Sequence, residues 1–177
     1  MLPISIRLQT PLRAVLVHTQ QRSFAQSTLA LKSFPELVRE IKSTNKNIHY
    51  LGPKDLHALC SAQSTAPENP RLPPHIIDVR ERAEIESQGT IPGAIPLPRG
   101  VLERDVGKLL KQSDDRDVVV YCAGGFRSVL AAESLVRLGY GDCEVESKDG
   151  PKVWSLDEGF DGWVKNGFEV EKKSAKN

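Results

Sequence analysis

The residues best able to do chemistry form one short run, 122–128, in which a cysteine is followed by two glycines, an arginine and a serine. A cysteine thiolate is a strong nucleophile, and inward-turned backbone N–H groups and nearby positive charge stabilise it. Gly124 and Gly125 allow the backbone dihedrals that such a turn needs. Arg127 adds a fixed cation whose planar fork suits an oxyanion. The run is therefore predicted to be an anion-binding loop around the Cys122 thiol.

The elements on either side are predicted to place this thiol at the carboxyl end of a buried strand. Residues 118–121 are apolar and mostly β-branched, which is typical of a central parallel strand. From Ser128 onward, apolar residues at helical spacing predict a helix that ends near Gly139. Ser128 is expected to cap that helix and to bond the loop. Cys122 then lies at a strand-to-helix turn, where open α/β sheets place their sites.

The alternative for Cys122 is a small apolar residue buried at a strand end. The glycines, the arginine and the helix start that follow it favour the reactive thiol instead. The chain has three cysteines, and neither Cys60 nor Cys143 forms a zinc-type or Cys-x-x-Cys pattern with another residue. A small and odd number of cysteines indicates a reducing compartment and argues against a disulfide framework.

The loop Cys122-Ala123-Gly124-Gly125-Phe126-Arg127-Ser128 resembles the active-site loop of rhodanese-like sulfurtransferases. Three other segments, taken in order, resemble further signatures of that family: 75–81, 89–98 and 154–163. Each match alone is weak, but four in the family's order are a strong signal. The resemblance spans about residues 48–168.

The resemblance implies the fold and the reaction. The fold is expected to be a single rhodanese-like α/β domain over 48–170, with about five strands in a mostly parallel sheet and helices on both faces. Cys122 is expected to take sulfane sulfur from thiosulfate or a persulfide donor as a persulfide and to pass it to a thiol, sulfite or cyanide. The substrate-binding residues are expected to be Ala123, Gly124, Gly125, Phe126, Arg127 and Ser128. No metal or organic cofactor is implied.

Asp78 and Arg80 match a pair that supports the active-site surroundings in this family through hydrogen bonds and ion pairs. We therefore expect a structural role for them, the alternative being an ordinary surface ion pair, which contributes little. Thr90 stands where the family often has histidine or arginine, and Glu158 replaces the first glycine of a usual Gly-Gly pair. The second departure puts the detailed turn in doubt rather than the fold.

The chain also departs from the family in length. Residues 141–151 are predicted to be an inserted surface loop, since insertions are tolerated between elements. That loop contains Cys143, for which a second sulfur-accepting role is the less favoured alternative.

The remaining elements are predicted from the spacing of apolar residues. Residues 48–51 are predicted to be an edge strand, and 94–97 a short strand near one end of the sheet. A helix over 54–60 is predicted to turn Leu59 toward the core, and the helix that reaches about residue 110 has Leu109 on its apolar side. Residues 81–88 are predicted to be a short charged helix.

The net charge is +1, from 24 basic and 23 acidic residues, so no strong field indicates a nucleic-acid partner. Residues 1–24 are basic and rich in hydroxyl and apolar residues, and they resemble a mitochondrial targeting peptide. Residues 25–47 are predicted to be an extension with one helix, which begins at the capping-box spacing of Ser33 and Glu36, and 171–177 a charged tail. No run is long enough to cross a membrane. The expected location is mitochondrial, with the matrix favoured.

Two other functions fit part of the pattern. Cysteine phosphatases and arsenate reductases also place a cysteine and an arginine around an anion, but their loop is one residue longer than the four residues between Cys122 and Arg127. The shorter loop favours a single sulfur atom over a tetrahedral phosphate. The other alternative is a module that carries persulfide between proteins, or binds a protein partner, with little turnover of small molecules.

Overall fold

The computed structural model describes residues 32–62, 72–141 and 150–172. The predicted targeting peptide, residues 142–149 of the predicted insertion with Cys143, and tail residues 173–177 lie outside the described residues. Within the described ranges, no helix combines the length and the apolar character that a membrane span requires.

Five short strands form one parallel sheet in the order β1-β5-β4-β2-β3. Their bounds are β1 Ile48–Leu51, β2 His75–Asp78, β3 Ile95–Pro96, β4 Val118–Tyr121 and β5 Val153–Leu156. All four strand pairings are parallel. Every residue of β4 is buried, because the strand has neighbours on both sides and helices on both faces. The predicted parallel sheet, the central β4 and the edge positions of β1 and β3 are confirmed.

Six α-helices and one 3₁₀ turn (Arg99–Val101) surround the sheet in the described part of the chain. The helices are α1 Phe34–Thr44, α2 Pro53–Ala62, α3 Arg82–Gln88, α4 Leu102–Leu109, α5 Phe126–Arg137 and α6 Gly159–Lys165. One face of the sheet shares a buried apolar cluster with α1, α4 and α5, and the other face shares a second cluster with α2 and α6. Helices on both faces, as predicted, therefore enclose the sheet.

The helix predicted in the N-terminal extension is α1, and it packs on α5. The Glu36 carboxylate accepts hydrogen bonds from the backbone N–H and the hydroxyl of Ser33, as in a capping box. Val38 and Ile41 are buried in the same cluster as the inner face of α5. The folded unit therefore includes residues that precede the expected start of the domain at 48.

Some local predictions were wrong. Leu59 of α2 and Leu109 of α4 were expected to face the core but are 43% and 50% exposed. In α4 the buried positions are Leu102 and Val106, and Leu110, which caps the helix, is buried four residues later. Leu109 therefore falls at the edge of the buried stripe. Glu171 was placed in the tail, yet its backbone exchanges two hydrogen bonds with Thr90 in an antiparallel bridge.

Candidate active site

The Cys122 side chain is only 1% exposed and follows directly after β4, at the carboxyl edge of the sheet. Its Sγ atom lies 3.9 Å from the hydroxyl oxygen of Ser128. That hydroxyl donates to the carbonyl oxygen of Gly125 at 3.0 Å and accepts from the Ser155 hydroxyl at 3.0 Å. The thiol therefore lies against a small buried hydroxyl network inside the loop.

The helix that follows the loop begins two residues earlier than predicted, at Phe126 rather than Ser128. Gly125 occupies the N-cap position with φ of 86°, a left-handed conformation that favours glycine. The prediction that Ser128 caps the helix was therefore wrong, because Ser128 is its third residue. Its predicted hydrogen bond to the loop is present and ties α5 to the Gly125 carbonyl.

The loop carbonyls are held from outside by the start of α6. The backbone N–H of Phe160 donates to the Cys122 carbonyl at 2.8 Å, and that of Asp161 donates to the Ala123 carbonyl at 3.0 Å. In a trans peptide the C=O and the following N–H point in opposite directions. The N–H groups of Ala123 and Gly124 are consequently directed away from α6, which is the arrangement an anion-binding loop requires.

This contact between loop and α6 leaves no room for a side chain at Gly159. A Cβ atom there would lie 2.3 Å from both the Cys122 and the Ala123 carbonyl oxygens, and the residue has φ of 54°. Glu158, which stands where the family usually has a glycine, adopts φ of 59°. The turn therefore contains a left-handed residue that is not a glycine, which is uncommon.

Arg127 does not extend freely from the loop, because it is paired with Glu84 of α3. Its two terminal nitrogens donate to the two carboxylate oxygens of Glu84 at 2.7 Å each. The hydrogen bonds from Arg127 lower the pKa of Glu84 to about 2. The same pair raises the pKa of Arg127, and the nearby Cys122 sulfur raises it further. The cation beside the thiol is therefore already partly neutralised.

Asp78 and Arg80 form a buried pair beneath the site rather than a surface ion pair. Both residues have 0% exposure, and the guanidinium donates two bonds to Asp78 Oδ2 and one to Oδ1, at 2.7 to 3.2 Å. Arg80 also donates to the Gly89 carbonyl at 2.6 Å and lies 3.8 Å from the ring centroid of Phe160. Because Phe160 holds the Cys122 carbonyl, Arg80 supports the loop from below.

The network continues to the residue before the nucleophile. The Tyr121 hydroxyl donates to Asp78 at 2.6 Å, and its burial beside that carboxylate raises its pKa. The hydroxyl of Thr90 lies 3.1 Å from Asp78 Oδ2 and 2.7 Å from the Tyr121 hydroxyl. Thr90 therefore joins the network by hydrogen bonds at the position where the family often has a larger polar side chain.

Two features of the site were missed by sequence reasoning. Glu84 was seen only as part of a short charged helix, although its carboxylate also accepts the backbone N–H of Glu81 in a capping box. The capping-box spacing predicts where the helix begins, but it does not predict the ion pair between Glu84 and Arg127. Phe34, in the N-terminal extension, has its ring centroid 6.1 Å from that of the loop residue Phe126.

Comparisons with known proteins identify the family that this chain resembles. Residues 53–166 match the family model of the rhodanese-like domain. A protein named sulfurtransferase from Allochromatium vinosum is 35% identical over 95 residues, which are 54% of this chain and 76% of the relative.

Among solved structures, a protein of unknown function from Rhodopseudomonas palustris, called a possible tyrosine phosphatase, has a TM-score of 0.58 at 27% identity. The match covers 79% of this chain and 95% of that one. A thiosulfate sulfurtransferase from Pseudomonas aeruginosa has a TM-score of 0.59 at 24% identity, with 79% and 23% covered, and it shows similarity of fold alone.

Proposed function

The chain belongs to the rhodanese-like domain family, and from that premise we propose that it transfers sulfane sulfur through a persulfide on Cys122. The observation that carries the proposal is the placement of this thiol. It follows β4 inside a loop whose carbonyls are bound by α6, so that the loop N–H groups are available to an anion.

In the first step the Cys122 thiolate attacks the outer sulfur of the donor. A new S–S bond forms, and with thiosulfate the bond between the two donor sulfurs breaks, so that sulfite leaves with the bonding electron pair. In the second step an acceptor thiol, sulfite or cyanide attacks the outer persulfide sulfur and restores the Cys122 thiolate. Loop N–H groups and Arg127 stabilise the charge that develops on the oxygen and sulfur atoms of the donor.

Mass spectrometry of the intact protein after incubation with thiosulfate tests this proposal directly. We expect the mass to increase by one sulfur atom, and the adduct to disappear on addition of cyanide. The Cys122→Ser variant should show no adduct, because the thiolate is the nucleophile. Cys60→Ser is the matched control and should behave as the parent, since burial raises the pKa of the Cys60 thiol. An adduct that persists in Cys122→Ser would overturn the mechanism.

Phosphate-ester hydrolysis is the second candidate, because a similar structure is called a possible tyrosine phosphatase. One observation favours sulfur transfer. Only four residues separate Cys122 from Arg127, one fewer than in the loop of cysteine phosphatases, and the shorter loop favours a single sulfur atom over a tetrahedral phosphate. Turnover of an aryl phosphate without formation of a persulfide would reverse the assignment.

A persulfide-carrying module is the third candidate. Its chemistry at Cys122 would be the same, and the difference lies in the acceptor, which would be a protein thiol rather than a small molecule. Comparing the rate of sulfur transfer to cyanide with the rate to a protein thiol separates the two functions.

We also propose that residues 1–24 direct the chain to mitochondria, on the strength of their basic, hydroxyl-rich composition. A fluorescent fusion of the full chain should locate to mitochondria, and the fusion that lacks residues 1–24 should not. Equal distribution of the two fusions would remove the targeting role.

A further inference from the structure

The helix α1 lies before the part of the chain that matches the family model, which begins at residue 53. It nevertheless meets the surroundings of the active-site loop at two places. The Phe34 ring lies beside that of Phe126, with 6.1 Å between centroids, and Lys42 Nζ lies 2.6 Å from the Asp157 carboxylate. Asp157 is itself next to the loop, since a Cβ on Gly125 would be 3.7 Å from its carbonyl carbon. The extension therefore forms part of the loop's surroundings.

The two rings are paired but not buried. Phe34 is 46% exposed and Phe126 is 47% exposed, whereas Cys122 and Ser128 are at most 1% exposed. Phe126 starts α5 two residues before Ser128, whose hydroxyl lies 3.9 Å from the Cys122 sulfur. Only Phe126 belongs to the short loop that encloses the thiol, and the second exposed ring, Phe34, comes from α1, outside the family core.

The charges beside the loop favour a singly charged donor over a dianion. The Arg127 cation is paired with Glu84, and Lys42 is paired with Asp157, so both positive groups already have carboxylate partners. A small dianion such as thiosulfate gains less from a cation that is already paired than from a free one. The binding energy of a singly charged donor depends less on a free cation than that of a dianion does. If such a donor also has an apolar group beside its sulfur, that group can bury apolar surface against the two rings.

The size of the apolar surface favours a small group over a protein. Phe34, Phe126 and Leu37, which is 39% exposed, are three side chains. A stable protein interface involves about 20–30 residues from each partner. The two exposed rings of Phe34 and Phe126 can accommodate one further ring or a short alkyl chain. Aromatic groups pack well at centroid distances of about 4.5–7 Å.

We propose that Phe34 is a specificity-determining residue, and that with Phe126 it binds the apolar group of an organic sulfane-sulfur donor such as a thiosulfonate. This inference rests on the proposed sulfur transfer at Cys122. The thiolate attacks the terminal sulfur of R–SO₂–S⁻, the new S–S bond forms on Cys122, and the bond between the two donor sulfurs breaks. The sulfinate R–SO₂⁻ leaves with the electron pair, so the step needs no oxidant or reductant.

A comparison of three sulfur donors distinguishes the effect of donor charge from the effect of apolar contact. Thiosulfate is a dianion, methanethiosulfonate is a monoanion with a methyl group, and benzenethiosulfonate is a monoanion with a ring. The parent protein should use benzenethiosulfonate with a kcat/KM about three- to tenfold above that of methanethiosulfonate, the range that an aromatic contact provides. In Phe34→Ala that ratio should fall to about twofold or less, and Phe34→Tyr should retain it because it keeps the ring.

The matched control is Val164→Ala. Val164 lies on α6, is 49% exposed and is therefore as open as Phe34. Its substitution should leave the ratio between the two thiosulfonates unchanged. Circular dichroism and thermal unfolding of each variant verify that α1 remains folded, since Val38 and Ile41 rather than Phe34 are its buried contacts.

The outcomes distinguish this inference from the proposed function. If none of the three donors forms a persulfide on Cys122, sulfur transfer itself is wrong. If all three react and the ratio is the same in Phe34→Ala and the parent, only the role of Phe34 is wrong. A ratio that stays constant while Phe34→Ala slows transfer from a protein persulfide would make the pair part of a protein interface and would also overturn the inference.

Discussion

Glu84 and Arg127 are joined by two parallel hydrogen bonds of 2.7 Å, although they stand 43 residues apart in the chain. Glu84 lies in the first turn of α3 and Arg127 in the first turn of α5. The pair links the segment after β2 to the loop after β4. It also sets how much positive charge the loop offers to a donor, because a bidentate carboxylate competes directly for the guanidinium.

The Glu84→Gln substitution should lower stability in a pH-dependent way. Glu84 has a folded-state pKa of about 2, below its ordinary value, so its ion pair stabilises the protein above about pH 4.3. The stability difference between parent and Glu84→Gln should be full at pH 7 and shrink as the pH falls from about 4.3 toward 2. Both side chains are about one-third exposed, so we expect about 1 kcal/mol or less at pH 7.

Urea unfolding of both proteins between pH 3 and pH 7 measures this difference. A difference that does not change across the range would mean that the charge of Glu84 contributes nothing to folding.

The Arg127→Ala substitution should reduce use of thiosulfate while the fold survives. Removing a cation that stabilises developing negative charge should lower kcat/KM by about 10- to 100-fold, at the low end of such losses because Glu84 already shares the guanidinium. Arg104→Ala is the control, since the Arg104 side chain is 71% exposed and lies on α4. Steady-state kinetics with thiosulfate and cyanide compare the variants, and parent-like values for Arg127→Ala would remove it from donor binding.

The Arg80→Met substitution should be strongly destabilising. It would leave the Asp78 carboxylate buried without its cation, which costs about 3–5 kcal/mol. The same change at Arg104, which pairs with Asp105 at the surface, should have little effect on stability, because solvent screens an exposed ion pair. Adding Asp78→Asn to Arg80→Met should recover part of the loss, because the unpaired charge is then removed. Equal midpoints for Arg80→Met and Arg104→Met in chemical denaturation would contradict the structural role of the buried pair.

The Gly159→Ala substitution should disturb the loop through its carbonyl oxygens. The new Cβ would meet two oxygens at 2.3 Å in a left-handed backbone, so we expect a loss of at least about 2 kcal/mol and much slower persulfide formation. A Cβ added at Gly107 of α4 would instead point into open space, and Gly107→Ala should stabilise the helix by about 0.5–1 kcal/mol. Thermal unfolding measures the stability of the two variants, and the rate at which the sulfur adduct forms on Cys122 measures the effect on the loop. A Gly159→Ala protein with parent-like loop chemistry would show that α6 does not hold the loop.

Much of the fold follows from local patterns. The all-apolar run of β4 predicts a central strand, and the Ser33–Glu36 spacing predicts the start of α1, because both signals depend on neighbours within one turn or one strand. The errors lie where a helix meets another element. Leu59 and Leu109 are apolar residues at the edge of a buried stripe, and whether such residues are covered depends on the position of the next helix.

For the site, the amino-acid sequence alone determined that Cys122 follows a strand, enters a glycine turn and precedes a helix, since each of those elements forms from contiguous residues. Tertiary structure decided what surrounds the thiol. The Glu84–Arg127 pair, the bonds from α6 to the loop carbonyls, and the Phe34–Phe126 contact all join residues that are distant in sequence. Periodicity and propensity report on one element at a time, whereas these contacts depend on how separate elements pack.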